Sequence, residues 1–351
     1  MALSKTQATA FEKVRRRGAG NQGVSLSESA VRALVAIVAR DLEIAPIAGI
    51  DPSDTGEFYE TAADRLELDG NASAQSTYEA LLAAGPPDTE MYFLSLATLH
   101  RARLKFANIL RLQGTPSLEQ VGPRGLLQYG DIETDSLGSL LILRKWMFDI
   151  DNRAGQETGY LFEPVIAGAV GGAPVSAKKS PVKRDGTGSG RQVDCLRGND
   201  AYEIKIRVTI AASGQGRWQE ELAFPADCRM SDYTPVLVVF DGTPNEKLLE
   251  LKSAFEQCGG RAHVGEDAWA HLEEEAGDTM GRFIEKYIRA PLDDLLDKTP
   301  SDLPELRLRL QSDRVDLYVG ATHWNVLRNG SDQSSSDEIP DDVDTTLPGL
   351  D

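Results

Sequence analysis

No run of about 18 apolar residues occurs in this 351-residue chain, so nothing in it reads as a membrane-spanning helix. The opening residues, MALSKTQATAFEKVRRR, lack the apolar core of a signal peptide, and a soluble, cytoplasmic protein without a membrane partner is expected. Cysteine is scarce. Cys195, Cys228 and Cys258 are widely spaced, with no CxxC pair and no disulfide framework, which fits a reducing compartment. Four histidines, His100, His263, His271 and His323, include no pair at helical ligand spacing, so a zinc site is not expected. No period of 20–50 residues emerges, which excludes a repeat architecture. Positive charge is also in deficit, 37 Lys and Arg against 55 Asp and Glu for a net of −18, and this argues at first against a nucleic-acid partner.

The distribution of charge weakens that objection. Residues 328–351 hold one basic and seven acidic residues, whereas residues 164–219 hold nine Lys and Arg against four Asp and Glu. The acidic tail is rich in Ser, Asp and Gly, has few core formers, and reads as disordered. The whole chain is 41% hydrophobic, ample for one large core or two domains.

Residues Gly18, Gly20 and Gly23 match GxGxxG, but an Arg cluster precedes them where the dinucleotide fingerprint needs a buried strand, so a plain turn is the better reading. Ser25 to Glu28 reads as a capping box before a helix with Val31, Leu34, Val35, Val38 and Leu42 on one face. Residues 57–68 and 75–84 read as short helices, and about 88–112 as a longer one. After the loop at 120–125 the helical pattern resumes over 137–148. The first 150 residues are thus expected to be mainly helical.

From residue 155 the texture changes. A helix is expected over 156–170, interrupted or restarted at Pro164, then a strand within 174–182. The run PVLVVF at 235–240 has the continuous apolar character of a strand buried on both faces. Residues 245–257, 267–275 and 279–289 read as helices, and 261–264 as a short strand. This order implies an α/β (α+β) fold with a mixed sheet flanked by helices. The expected organisation is a helical region 1–150, a core with C-terminal helices over 151–327, and the tail 328–351.

The chemistry concentrates in RQVDCLRGNDAYEIKIR, residues 191–207. Gly198-Asn199 signals a two-residue hairpin turn. That register pairs Arg197 with Asp200, Leu196 with Ala201, Cys195 with Tyr202, and Asp194 with Glu203. Two carboxylates then face each other, with Lys205 and Arg207 on the same face and Tyr202, Ile204 and Ile206 on the other. Like charges so placed need a cation between them. Mg²⁺ takes oxygen ligands and only one or two carboxylates, which Asp194 and Glu203 supply, with the Ile204 carbonyl as a third oxygen. Such a site suits attack of water on a phosphodiester, with Lys205 orienting water or steadying the phosphate. Lys178, Lys179, Lys183 and Arg184, together with Arg191 and Arg207, are candidate phosphate contacts on double-stranded DNA. In SGQGRWQ, Arg217 is a candidate reader of guanine and Gln215 or Gln219 of adenine.

The pattern D-x(8)-E-x-K resembles the PD-(D/E)xK nucleases, with Val193 where the family name places Pro. The segments VGPRGLLQYG, RKWMFDIDNRAGQETGYLFEP, GRQVDC, IRVTIAASGQGRWQEEL and YTPVLVVFD resemble type II restriction endonucleases of the ApaLI-like family, over roughly residues 90–292. The resemblance implies a restriction-endonuclease-like core, metal-binding Asp194 and Glu203, and a catalytic Lys205. A further acid from the preceding helix is implied too, at Glu163 or Glu157. It also implies a homodimer cutting a palindromic hexanucleotide, GTGCAC for the namesake, and leaving 5′-phosphates. Rival readings are a structure-selective or repair nuclease on the same fold, and a DNA-binding regulator without catalysis. The blandest rival is an acidic interaction protein whose D…ExK match is accidental.

Overall fold

The Gly198-Asn199 hairpin forms the antiparallel half of a five-stranded mixed sheet. In the computed structural model, described for residues 3–16, 24–47, 50–51, 55–208, 215–311 and 313–327, its strands are β1 (Ala173–Val175), β2 (Val193–Arg197), β3 (Asp200–Lys205), β4 (Thr234–Val239) and β5 (Arg261–Val264). They lie in sequence order. β1, β2 and β3 are antiparallel neighbours, and β3, β4 and β5 run parallel. The hairpin pairs Cys195 with Tyr202, Leu196 with Ala201 and Arg197 with Asp200, as the turn predicts. Gly198 sits at φ +56°, the left-handed conformation such a turn demands at little steric cost to glycine.

Helices cover both faces. The helical elements are α1 (Lys5–Arg15), α2 (Glu28–Asp41), α3 (Ala74–Ala84), α4 (Thr89–Leu112), α5 (Leu118–Val121) and α6 (Thr134–Ala169) before the sheet. Then come α7 (Gln215–Met230), α8 (Glu246–Gln257), α9 (Glu266–Ile284) and α10 (Ala290–Leu296). On one face Cys195, Tyr202, Ile204, Val236 and Val238 pack with Val165 and Ile166 of α6 and Trp269 and Leu272 of α9. On the other, Ala201, Leu237 and Val239 meet Phe224 of α7 and Leu251 and Phe255 of α8. β4 is therefore buried on both sides, as its unbroken apolar run predicts. Each such side chain contributes roughly 1.5–3 kcal/mol of transfer free energy.

Phe11, Tyr78 and Phe93 belong to the same core as Tyr202 and Trp269. The N-terminal helices and the sheet thus share apolar packing. The expected division between 150 and 151 falls within α6, a single helix of 36 residues.

Several expectations are corrected. Pro164 lies inside α6 rather than interrupting it. The lost backbone hydrogen bond and the clash of the ring with the preceding turn together cost about 3 kcal/mol, and burial of Pro164, Val165, Ile166 and Ala167 against the sheet offsets it. Residues 57–68 contain only a 3-10 turn, Ala63–Arg65. There the buried Arg32 guanidinium donates to the Leu68 carbonyl (3.0 Å), and the Leu68 amide donates to Ser29, so tertiary ties hold the segment against α2. The cap of α2 is Ser27, whose hydroxyl accepts from the Ala30 amide, not Ser25. Of residues 174–182, only the first two join β1, and a turn follows.

Beyond α10 the described residues are not helical. They form an antiparallel meander of β6 (Leu306–Leu310), β7 (Arg314–Val319) and β8 (Thr322–Leu327). Val315 and Val326 of this second sheet pack on Trp146 of α6. The alternating LRLRL at 306–310 carries the period-two signal for it. The GxGxxG glycines and the acidic tail from residue 328 lie outside the described residues.

Candidate active site

Three side chains converge where the hairpin meets the parallel half of the sheet. Asp194 leaves β2 one residue before the last ladder pair, Cys195 with Tyr202. Its carboxylate accepts from the Ile204 amide (2.9 Å). The side chain thereby takes the place a backbone carbonyl usually holds and is fixed across the strand boundary. Glu203 and Lys205 alternate along β3, and the Lys205 ammonium donates to Glu203 at 2.9 Å. Both are mostly buried, each with 17% of its side-chain surface exposed.

A fourth acid was not legible in the sequence. Glu221, on α7, stands 3.5 Å from the Lys205 ammonium. Only the packing of α7 across the sheet brings residue 221 to residue 205, and no sequence spacing signals it. Glu163, on α6, is close enough for its charge to act on Asp194. The side chain of Glu157 lies outside the described residues.

The electrostatics follow from this crowding. Burial, then the Glu203 and Glu163 carboxylates, push the Asp194 carboxyl well above the usual carboxylate range. The Ile204 amide and the Lys205 charge pull the other way and only partly offset that. Lys205 shows the converse balance. Burial alone disfavours its charge, but Glu203, Glu221 and Asp194 outweigh burial and hold it as an ammonium. The site is a crowded group of carboxylates with the Lys205 ammonium set among them.

The profile of the ApaLI-like restriction endonucleases matches residues 56–289, two thirds of the chain. The chain belongs to the ApaLI-like restriction endonuclease family. The type II restriction enzyme ApaLI of Acetobacter pasteurianus is 40% identical over 349 aligned positions, covering 92% of this chain and 93% of that enzyme. No solved structure matches significantly.

Type II restriction endonucleases generally use a divalent metal ion. Among the described residues of this family member, no three or more His, Cys, Asp and Glu side chains are grouped to hold one by themselves. A hard cation of the magnesium type does not need three, because it binds through one or two carboxylates and fills the rest of its shell with water and substrate oxygens. The donors here are all oxygen, and the raised Asp194 carboxyl marks a place where positive charge is undersupplied. The residues present fit such an ion.

The candidate DNA contacts divide into four groups. Lys178, Lys179, Lys183 and Gln219 are exposed, and Arg207 is exposed beside Asp241 (3.0 Å). The Lys178–Lys179 turn is held close to the start of the hairpin segment. A Cβ on Gly190 would stand 1.9 Å from the Ala177 carbonyl, so only glycine fits that approach. Arg184 is half-buried and pairs with Glu220 (3.4 Å). Arg191 is a correction. It is only 6% exposed, paired with buried Asp227, donating to the Glu220 carbonyl and lying over Phe224 (5.4 Å). A side chain so enclosed serves the joint between β2 and α7 rather than a phosphate. The side chains of Gln215 and Arg217 lie outside the described residues.

Proposed function

We propose that this chain is a type II restriction endonuclease with the D-x(8)-E-x-K pattern as its catalytic centre. On this reading it acts as a homodimer and hydrolyses double-stranded DNA with Mg²⁺ at GTGCAC, leaving 5′-phosphates. The observation that carries the reading is the convergence of Asp194, Glu203 and Lys205 at one sheet position in a chain 40% identical to ApaLI.

Asp194 and Glu203, with the Ile204 carbonyl, are the groups that would hold the cation, and Glu163 adds negative charge behind Asp194. When bound, such an ion polarises the phosphate and lowers the pKa of a coordinated water. The chain's own residues supply the remaining work. The Ile204 amide fixes the Asp194 carboxylate. Lys205, held as an ammonium by Glu203, Glu221 and Asp194, acts as a fixed positive charge that steadies the extra negative charge of the pentacovalent phosphate. Its protonated state makes it a poor base. Exposed Lys178, Lys179, Lys183 and Arg207 are candidates for contact with the backbone of a bound duplex, and Gln215, Arg217 and Gln219 for base contacts from α7.

The test is incubation of the pure protein with long duplex DNA carrying one GTGCAC site, with and without Mg²⁺, followed by mapping of the ends. Two discrete fragments with 5′-phosphates are expected. Cutting only at branches or ends supports the repair reading instead, and binding without any cutting supports the regulator.

A further inference from the structure

Seven of the sixteen large apolar side chains exposed among the described residues fall within residues 118–148. Leu126 (71% exposed) and Leu127 (92%) project from the 3-10 segment Gly122–Gln128, and Tyr129 follows it. Leu140, Met147 and Phe148 are exposed on α6 at i, i+7 and i+8, which places them on one stripe of that helix. The two groups adjoin. Gly125 packs so closely on Leu137 and Leu141 of α6 that an added Cβ would stand 2.5 Å from Leu141, and Leu118 similarly borders Gly138.

These side chains together present on the order of 500 Å² of apolar surface to solvent. An apolar patch of that size is among the largest that a soluble monomer carries, and such patches often mark contact surfaces. This one supplies a large part of the roughly 800 Å² per partner that a stable interface needs. Charges of both signs interleave with the apolar stripe: Arg124 and Arg144 are exposed beside Asp131, Asp135 and Asp151. A surface carrying both signs can pair with itself across a two-fold axis. The excess of acids makes it a poor face for phosphates.

We infer that this face, the stripe of α6 with the preceding 3-10 segment, is where a second copy of this chain docks. The inference rests on the homodimer reading above and adds the surface that makes it.

Sedimentation equilibrium of the full chain tests it, with the double variant Leu127→Glu/Phe148→Glu and a control, Leu249→Glu, at an equally exposed leucine on α8. Wild type and control are expected to be dimers. The double variant should lose roughly 100-fold or more in dimer affinity while its circular dichroism and melting temperature as a monomer stay those of a folded chain. Unchanged dimerisation by a folded double variant overturns the face while leaving the homodimer reading intact. A wild type that stays monomeric with and without DNA overturns both. Hydrogen-exchange protection of residues 126–148 in such a monomer would assign the face to another segment of the same chain.

Discussion

Replacing Arg191 by methionine removes one member of an ion pair that is almost wholly enclosed, with 8% of the Arg191 side chain and 3% of the Asp227 side chain exposed. Asp227 keeps only the Asp185 amide as a donor (2.9 Å), and the Glu220 carbonyl loses its guanidinium. Methionine retains apolar contact with Phe224, so the loss is chiefly electrostatic. Stranding a buried charge in this way costs about 3–5 kcal/mol, which for a chain of 351 residues translates into a fall of roughly 4–7 °C in melting temperature. Changing both partners, Arg191→Met with Asp227→Leu, should recover much of that loss, because no charge is then left unpaired. Thermal unfolding of wild type, both single variants and the double variant completes the cycle. The alternative, a phosphate contact, predicts an unchanged melting temperature and a salt dependence of DNA binding lower by about one ion. That second pattern would refute the placement of Arg191 as the strut between β2 and α7.

Other outcomes follow from the carboxylate site and from the charge of the chain. Lys205→Ala should reduce single-turnover cleavage by roughly 10²–10³ or more while DNA affinity measured in Ca²⁺ is largely kept; undiminished cutting removes Lys205 from the mechanism. In chelator, Asp194→Asn should melt higher than wild type at pH 8 and by less at pH 5. A carboxyl whose folded pKa is raised contributes stability below its unfolded pKa and loses it as pH rises through the folded value. A difference independent of pH would contradict that balance. Adding Mg²⁺ should raise the wild-type melting temperature and leave that of Glu203→Gln nearly unmoved, since only a site that binds the ion is stabilised by it. Deleting residues 328–351, six net negative charges, should tighten non-specific DNA binding at low salt; equal affinity means the tail acts too far away to matter.

The parts of this fold that were legible in sequence are those decided within a few residues. Gly198-Asn199 set the three pairs next to the turn, whereas the expected fourth, Asp194 with Glu203, is not a ladder pair because the Asp194 carboxylate takes the Ile204 amide. PVLVVF declared a doubly buried strand because both faces of that strand are covered by helices. What stayed hidden depends on partners far along the chain. Arg191 reads as a free cation until Asp227 is brought beneath it, 36 residues away. Pro164 reads as a helix breaker until the burial that offsets it is counted. Residues 57–68 have helical composition, yet hydrogen bonds to α2 hold them otherwise. Glu221 has no signal at all, because its meeting with Lys205 is a property of how α7 crosses the sheet. The meander at 306–327 is the exception, since LRLRL displays its alternation openly.

The uninterrupted course of α6 has a metric consequence. Leu140 and Glu163 are 23 residues apart on one helix, about 35 Å along its axis. On the dimer face inferred above, this helix would be a ruler between the two-fold axis and each carboxylate cluster. The gap between the two scissile phosphates, and hence the stagger of the cut, would then follow from a count of residues. Substitutions along the exposed side of the rod leave that gauge unchanged. A single residue inserted between Phe148 and Glu163 turns the far end by about 100° and swings Glu163 away from Asp194, so the segment is constrained in length more tightly than in composition.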